Sequence, residues 1–171
     1  MEADRKYFFT ATILNWKHLL SENKFKQIII NELKHQVDKG LLKVFAFVIM
    51  PNHMHLIISI PSPFIPKDVQ RDFLKWISKR FITELKNTNS EYLEEFKVNA
   101  KDRTYQIWER NSLAIEIFSQ EVIFQKLNYI HNNPTTEKWK LAATPEEYEF
   151  STAGFYFDGR RHWDFITHVM P

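Results

Sequence analysis

The residues of this chain whose types and spacing could do chemistry are His53 and His55, together with Tyr129 and Asn133. In "VFAFVIMPNHMHLIISIP", Val44 to Pro61, the two histidines stand one residue apart inside an otherwise apolar run. Alternate residues of a strand share a face. His53 and His55 can therefore act as a two-pronged imidazole ligand for one metal ion, while Met54, Leu56 and Ile58 turn into the core. The alternative is a pair of partly exposed, hydrogen-bonded histidines that hold no metal. Two ligands do not fix an ion, so the first reading requires a third.

Tyr129 and Asn133 are four residues apart, about one helical turn along one face. An asparagine carbonyl is a hard oxygen donor. Two imidazoles, an amide oxygen and water suit Mg²⁺ or Mn²⁺ better than a closed structural zinc site. A phenol held beside such a cation is a candidate nucleophile. The alternative leaves Tyr129 as a packing residue with its hydroxyl at the surface, and Asn132 and Asn133 as a helix end. Pro134 follows Asn133 and disfavours helical dihedrals there, which makes the one-turn relation approximate.

The elements that must position these groups follow from periodicity. "YFFTATILN" (7–15) is aromatic and β-branched, as in a strand. "SENKFKQIIINELKHQVDKG" is a helix with Ser21 or Asn23 as its cap, Phe25, Ile28, Ile29, Leu33 and Val37 as its apolar stripe, and Gly40 at its end. "LLKVFAFVIM" and "HMHLIISIP" are two strands, and the short "MPN" between them demands an antiparallel hairpin. Pro66 opens a second helix with Val69, Phe73, Ile77 and Phe81 buried. After a polar stretch, "YQIWER" (105–110) is the expected fourth strand. "SQEVIFQKLNYIHNNP" is a third helix, stopped by Pro134.

The order βαββαβ is that of an α+β, ferredoxin-like antiparallel sheet with two helices on one face. The helix carrying Tyr129 is an addition, and the other face of the sheet is expected to be free for the site. The structure of the aromatic tail is not determined by its pattern.

The composition narrows the function classes. At 171 residues, 44% hydrophobic and 15% aromatic, the chain is expected to be one folded domain over 1–171. With Gly at 3 and Pro at 7 it holds no linker-like stretch. Cysteine is absent, which removes disulfides, thiolate metal sites and a cysteine nucleophile. "MEADRKYFF" lacks an apolar signal core, and no apolar run reaches the roughly 18 residues of a membrane span. A cytoplasmic, nucleoid-associated location is expected, with no membrane partner. The net charge of +2 permits an anionic partner without specifying one.

The quoted hairpin resembles the histidine-hydrophobe-histidine motif of the HUH single-tyrosine transposases. "LNYIHNNPTTEKWKLAATPEEYEFSTAGFY" resembles the YIHxNP helix end and the later aromatic-Ser-Ser-Ala segment of their REP-associated branch. The likeness runs from about Tyr7 to Tyr156, with both blocks in the family's order. It implies His53, His55 and Asn133 as ligands of Mg²⁺ or Mn²⁺, and Tyr129 as nucleophile. It further implies cleavage and rejoining of single-stranded DNA, at hairpin-forming sequences, through a 5′-phosphotyrosine. The aromatic-Ser-Ser-Ala segment appears here as Phe150, Ser151, Thr152 and Ala153. A Val-Lys-Ala-Gly-like run of relatives is replaced by "TTEKWK". Relatives include both dimers and monomers, so monomer and homodimer are both open.

A DNA-cutting protein must also grip DNA. Lys67, Arg71, Lys75 and Lys79 recur every four residues opposite the apolar stripe of the second helix, and can form a basic stripe for phosphates. Lys126, one turn before Tyr129, can hold phosphate near the nucleophile. Arg160 and Arg161 form a basic cluster in the tail. Trp76, Trp108 and Trp139 are candidates for base stacking or for the core. Three rival readings stand beside DNA cutting: a non-catalytic hairpin or single-stranded DNA-binding relative, a zinc hydrolase in which His131 or His162 joins the histidine pair, and an RNA-binding ferredoxin-like domain, ranked last because the Gly-Phe-rich strand of such domains is absent.

Overall fold

The computed structural model describes residues 4–171. The principal elements are β1 (Lys6–Thr12), α1 (Asn23–Asp38), β2 (Lys43–Ile49), β3 (His53–Ser59), α2 (Pro66–Thr88), α3 (Ser90–Glu94), β4 (Leu113–Ile117), α4 (Gln120–Asn132) and α5 (Ala153–Asp158), joined by short 3₁₀ turns. The sheet runs β2-β3-β1-β4 with every neighbouring pair antiparallel. This is the ferredoxin-like arrangement that the element order implies.

One face of the sheet is buried by α1 and α2. Val69, Phe73, Ile77, Phe81 and Leu85 recur at every fourth position of α2 and meet Met54, Leu56 and Ile58 of β3 in the larger core. Phe81 packs edge-on to Phe25 of α1 at 5.2 Å and beside Trp108 at 6.1 Å. Pro66 takes the first turn of α2, where a missing N–H costs nothing. Helix α1 ends at a left-handed Gly40 with φ of 69°, as the sequence suggests. Its cap position is Glu22, however, and carries no side-chain cap. The amine of Lys26 instead donates to the Ser21 carbonyl and to Asn23 Oδ1.

Two expectations about the sheet are corrected. The fourth strand is Leu113–Ile117, not 105–110. Ile107 and Trp108 are apolar because they are buried where that segment crosses the end of β1, donating and accepting only a few backbone hydrogen bonds with Thr12 and Leu14. The second face of the sheet is also not bare. Helix α4 lies on it, and Leu127 and Ile130 join Phe8, Ala46, Val48 and Ile57 in a smaller core. Alternation lets β2 serve both cores, and the register shift between Val44 and Ala46 places the consecutive Phe45 and Ala46 together in the smaller one.

The tail closes the β2 edge. Ile49 donates to the Phe150 carbonyl, Thr152 donates to Phe47 O, and Thr167 donates to Val44 O. The hydroxyls of Tyr148 and Tyr156 donate to the carbonyls of Ile49 and Phe45. An edge that would otherwise expose unpaired peptide groups is thus covered. Burial raises the Tyr148 phenol and pushes that of Tyr156 up to about 12, so both remain hydrogen-bond donors.

Thr152 is the pin of this arrangement. Its Oγ1 accepts from the Phe47 N–H at 3.1 Å and lies 2.8 Å from His131 Nε2 on α4. In Thr152→Val both partners lose it while buried, at about 1–3 kcal/mol for each group left unpaired. The expected result is a melting temperature lower by several degrees, since 1 kcal/mol shifts it about 2–4 °C for a chain of this size. Thermal unfolding followed by circular dichroism measures it, and an unchanged midpoint would deny the pin.

Among the described residues, no helix is long and apolar enough to cross a membrane.

Candidate active site

The site lies on the α4 face of the sheet. His53 and His55 both project to that face, and their ring centroids are 4.8 Å apart. The tyrosine of α4 comes to them. Tyr129 lies 5.1 Å from the His55 ring and 6.2 Å from that of Phe8, edge-on to both, with its side chain half exposed. Asn133 keeps helical dihedrals of −52° and −46° despite the following proline, because a 3₁₀ turn over Asn133–Thr135 continues the helix. The disfavoured conformation is therefore adopted, and Asn133 Nδ2 reaches His53 Nε2 at 3.5 Å.

Each imidazole is held through the same nitrogen. His53 Nδ1 is 2.6 Å from Asn52 Oδ1, an acceptor only, so that nitrogen carries the hydrogen and Nε2 the lone pair. His55 Nδ1 is 2.8 Å from Thr10 Oγ1, its partner in register on β1. His55 stacks on Phe8 at 5.3 Å. Its Nε2 is buried and has no hydrogen-bond partner among the described residues. A buried nitrogen without a partner is costly unless it has another use.

The electrostatics favour neutral rings. Desolvation lowers His53 to about 4, assisted by Lys138, and lowers His55 to about 3, assisted by His53 and Lys126. Burial lowers His131 to about 4. A neutral imidazole with Nδ1 fixed and Nε2 free is the ligating form. The fit to a divalent cation rests on the orphaned Nε2 of His55 and the lone pair of His53 Nε2, with Asn133 having to turn its amide oxygen in place of the Nδ2 that now faces His53.

These shifts also fix the sign of a pH effect. Folded-state values below the ordinary 6.5 mean that the unfolded chain binds more protons between about pH 6.5 and 4. Stability is therefore full above about 6.5 and falls as the pH drops towards 4. Urea midpoints measured from pH 7.5 to 4.5 should decline through that window. A flat profile would mean the imidazoles are not buried as described.

A cleft of about 550 Å³ opens beside Tyr129, lined by His53 and Asn133 and, on the outside, by Gln125, Asn128, Lys138 and Trp139. Lys126 extends along the same side of α4, its Nζ 4.6 Å from the centre of the Phe8 ring. The other expected DNA-contacting residues lie elsewhere. Lys67, Arg71, Lys75 and Lys79 are exposed on α2, whose buried stripe packs on the opposite face of the sheet. Arg71 is already paired with Asp68 at 2.8 Å and Asp72 at 3.0 Å. Arg160 is tied to Asp158 and to the Glu146 carbonyl, with Arg161 exposed beside it.

The zinc-hydrolase alternative loses its ligands. His131 turns to Thr152 and Tyr156, and His162 lies on Trp163 and near Glu149. Among the described residues, no cluster of three or more His, Cys, Asp or Glu side chains is placed to hold a metal. A metal site built from the pair thus depends on the Asn133 amide.

No protein-family model matches the sequence, and neither does any curated protein. Solved structures do match. One is a REP-associated tyrosine transposase bound to a REP hairpin, similar over 96% of this chain and 83% of that one, with a TM-score of 0.62 at 19% identity. The chain has the tyrosine transposase fold. A second match, a Deinococcus radiodurans protein classed provisionally as a transposase, covers 77% of this chain and 92% of its own, with a TM-score of 0.52 at 13% identity. Within the transposase fold, the residues that sequence reasoning missed are the supports Thr10 and Asn52, together with Lys138 at the cleft, while Thr152 was marked by its motif but not by its contacts. Thr10 had one visible signal, as a polar residue in an aromatic strand.

Proposed function

We propose that this protein cuts and rejoins single-stranded DNA through Tyr129. The observation that carries the proposal is the convergence of a half-exposed phenol on two neighbouring imidazoles, one of which has a buried Nε2 with no partner among the described residues. The transposase fold supports it, and the relative solved with a REP hairpin supports a hairpin-forming strand as substrate.

The phenolic oxygen of Tyr129 attacks the scissile phosphorus. The P–O bond to the 3′-oxygen breaks, and that oxygen takes up a proton and leaves as a 3′-hydroxyl. The phenol loses its proton, and the 5′-phosphate stays on the tyrosine. A 3′-hydroxyl of another strand reverses the step and seals a new junction. Bond energy is conserved in the phosphotyrosine, so no nucleotide triphosphate is consumed, and the chain has no GxxxxGK[ST] loop.

His53, His55 and Asn133 would hold Mg²⁺ or Mn²⁺ here. Asn133 would do so through its amide oxygen. A bound divalent cation supplies charge neutralisation at the non-bridging phosphate oxygens. Thr10 and Asn52 orient the two rings, and Phe8 supports both His55 and Tyr129. Lys126 binds phosphate on the same side. The α2 residues Lys67, Lys75 and Lys79 contact DNA away from the cut, on the far face, with Arg71, Arg160 and Arg161 as weaker contributors.

The test is a labelled hairpin with single-stranded flanks, incubated with Mg²⁺ or Mn²⁺. An SDS-resistant protein-DNA adduct supports cutting. Binding with no adduct under either ion favours the non-catalytic hairpin-binding relative instead. Separately, Lys75→Ala should weaken binding at all sequences and reduce the slope of log K against log salt by about one. Titration at several salt concentrations reads it, and an unaltered slope removes the far face from DNA binding.

A further inference from the structure

Three carboxamides, Gln125, Asn128 and Asn132, line the outer wall of the cleft at intervals of three and four along α4. The attack on phosphorus needs none of them. Asn132 spends its Nδ2 on the Asn128 carbonyl at 2.9 Å, which leaves its oxygen free. Opposite stands Trp139. Its ring is flanked by His53 at 5.9 Å and by His18 at 5.7 Å, and Lys138 Nζ lies 5.3 Å from its centre. Among the described residues, no acidic side chain lines the cleft. A volume of about 550 Å³ is ample for one nucleotide.

An aromatic ring flanked by two imidazoles, a mobile lysine cation over one face that a base can displace toward phosphate, and amides with both donors and acceptors are the parts that bind an unstacked base. We propose that this cleft is a nucleobase pocket: the base next to the scissile phosphate leaves the strand, stacks on Trp139, and has its edge read by Gln125, Asn128 and Asn132. Lys138 contacts the phosphate of that nucleotide. The strand's position rests on the reading of Tyr129 as the cutting residue. The consequence is a sequence preference at the cut that the protein reads directly.

The test uses dA12, dC12, dG12, dT12 and an abasic dodecamer in EDTA, so that binding is measured without cleavage. At least one base-bearing dodecamer should quench indole fluorescence clearly more in the wild type than in Trp139→Phe, the remainder coming from exposed indoles such as Trp76 on α2. Trp139→Ala should weaken that dodecamer by about 5- to 150-fold, the range for one stacked base. The abasic dodecamer should bind both proteins equally. Gln125→Ala with Asn128→Ala should narrow the spread of affinities among the four bases.

Equal binding of all four by wild type and Trp139→Ala, or quenching undiminished in Trp139→Phe, would overturn the pocket. The adduct assay is independent of these measurements. An adduct with no Trp139 effect sinks the pocket and leaves the cutting intact; quenching through Trp139 with no adduct does the reverse.

Discussion

Tyr129→Phe is expected to abolish the covalent protein-DNA adduct while leaving hairpin affinity within about twofold. Loss of an activated nucleophile costs on the order of 10⁴- to 10⁶-fold in rate, because no neighbouring group takes over the displacement. The surroundings support that expectation. The buried histidines and the tail's tyrosines are tied into hydrogen bonds, whereas Tyr129 is half exposed, with its ring against His55 and Phe8. Removing one hydroxyl from a half-exposed ring leaves the packing unchanged, so stability should stay within about 0.5 kcal/mol. Denaturing gels and a parallel binding titration separate the two effects. Cleavage that survives in the phenylalanine variant would move the nucleophile elsewhere.

His55→Gln should be nearly as severe, and for a reason that can be read without DNA. In the wild type, Mn²⁺ should raise the melting temperature, since a ligand at a hundred times its Kd adds about 2.7 kcal/mol to stability. For a chain of this length that is roughly 5–11 °C. The glutamine variant should lose the increment and the cleavage together. Its own midpoint without metal should change little, because relief of the buried, unpartnered Nε2 offsets the loss of the imidazole contact to Thr10. Alanine is the poorer probe, as it would leave a void against Phe8. An Mn²⁺ increment undiminished in His55→Gln would place the cation elsewhere.

Much of this architecture was written in local patterns. The alternation of His53, Met54, His55 and Leu56 assigned each side chain to a face, since period two leaves one solution once Met54 and Leu56 must be buried. The fourfold spacing of Val69, Phe73, Ile77 and Phe81 gave α2 in the same way. The fourth strand failed because burial in Ile107 and Trp108 comes from a chain crossing, while β4 is a short edge strand whose Leu113 and Ile115 are exposed. Amphipathic pattern carries no label for which of these produced it.

The supports of the site were illegible for a different reason. Thr10 meets His55 across 45 positions of sequence, and Thr152 meets Phe47 across 105. Such contacts exist only once the sheet order is fixed. The basic stripe on α2 was legible as one exposed face, since Lys67, Arg71, Lys75 and Lys79 keep the fourfold spacing of the buried Val69, Phe73 and Ile77. Asn133 is a different case, where a 3₁₀ continuation overrode the local bias against helix before proline.

The most direct measurement is mass spectrometry of the protein digested after incubation with a hairpin oligonucleotide and Mn²⁺, followed by nuclease trimming. The account predicts a nucleotide mass on the peptide containing Tyr129, joined through a 5′-phosphate. A modified peptide elsewhere in the chain, or DNA that is cut with no residue modified, would contradict it.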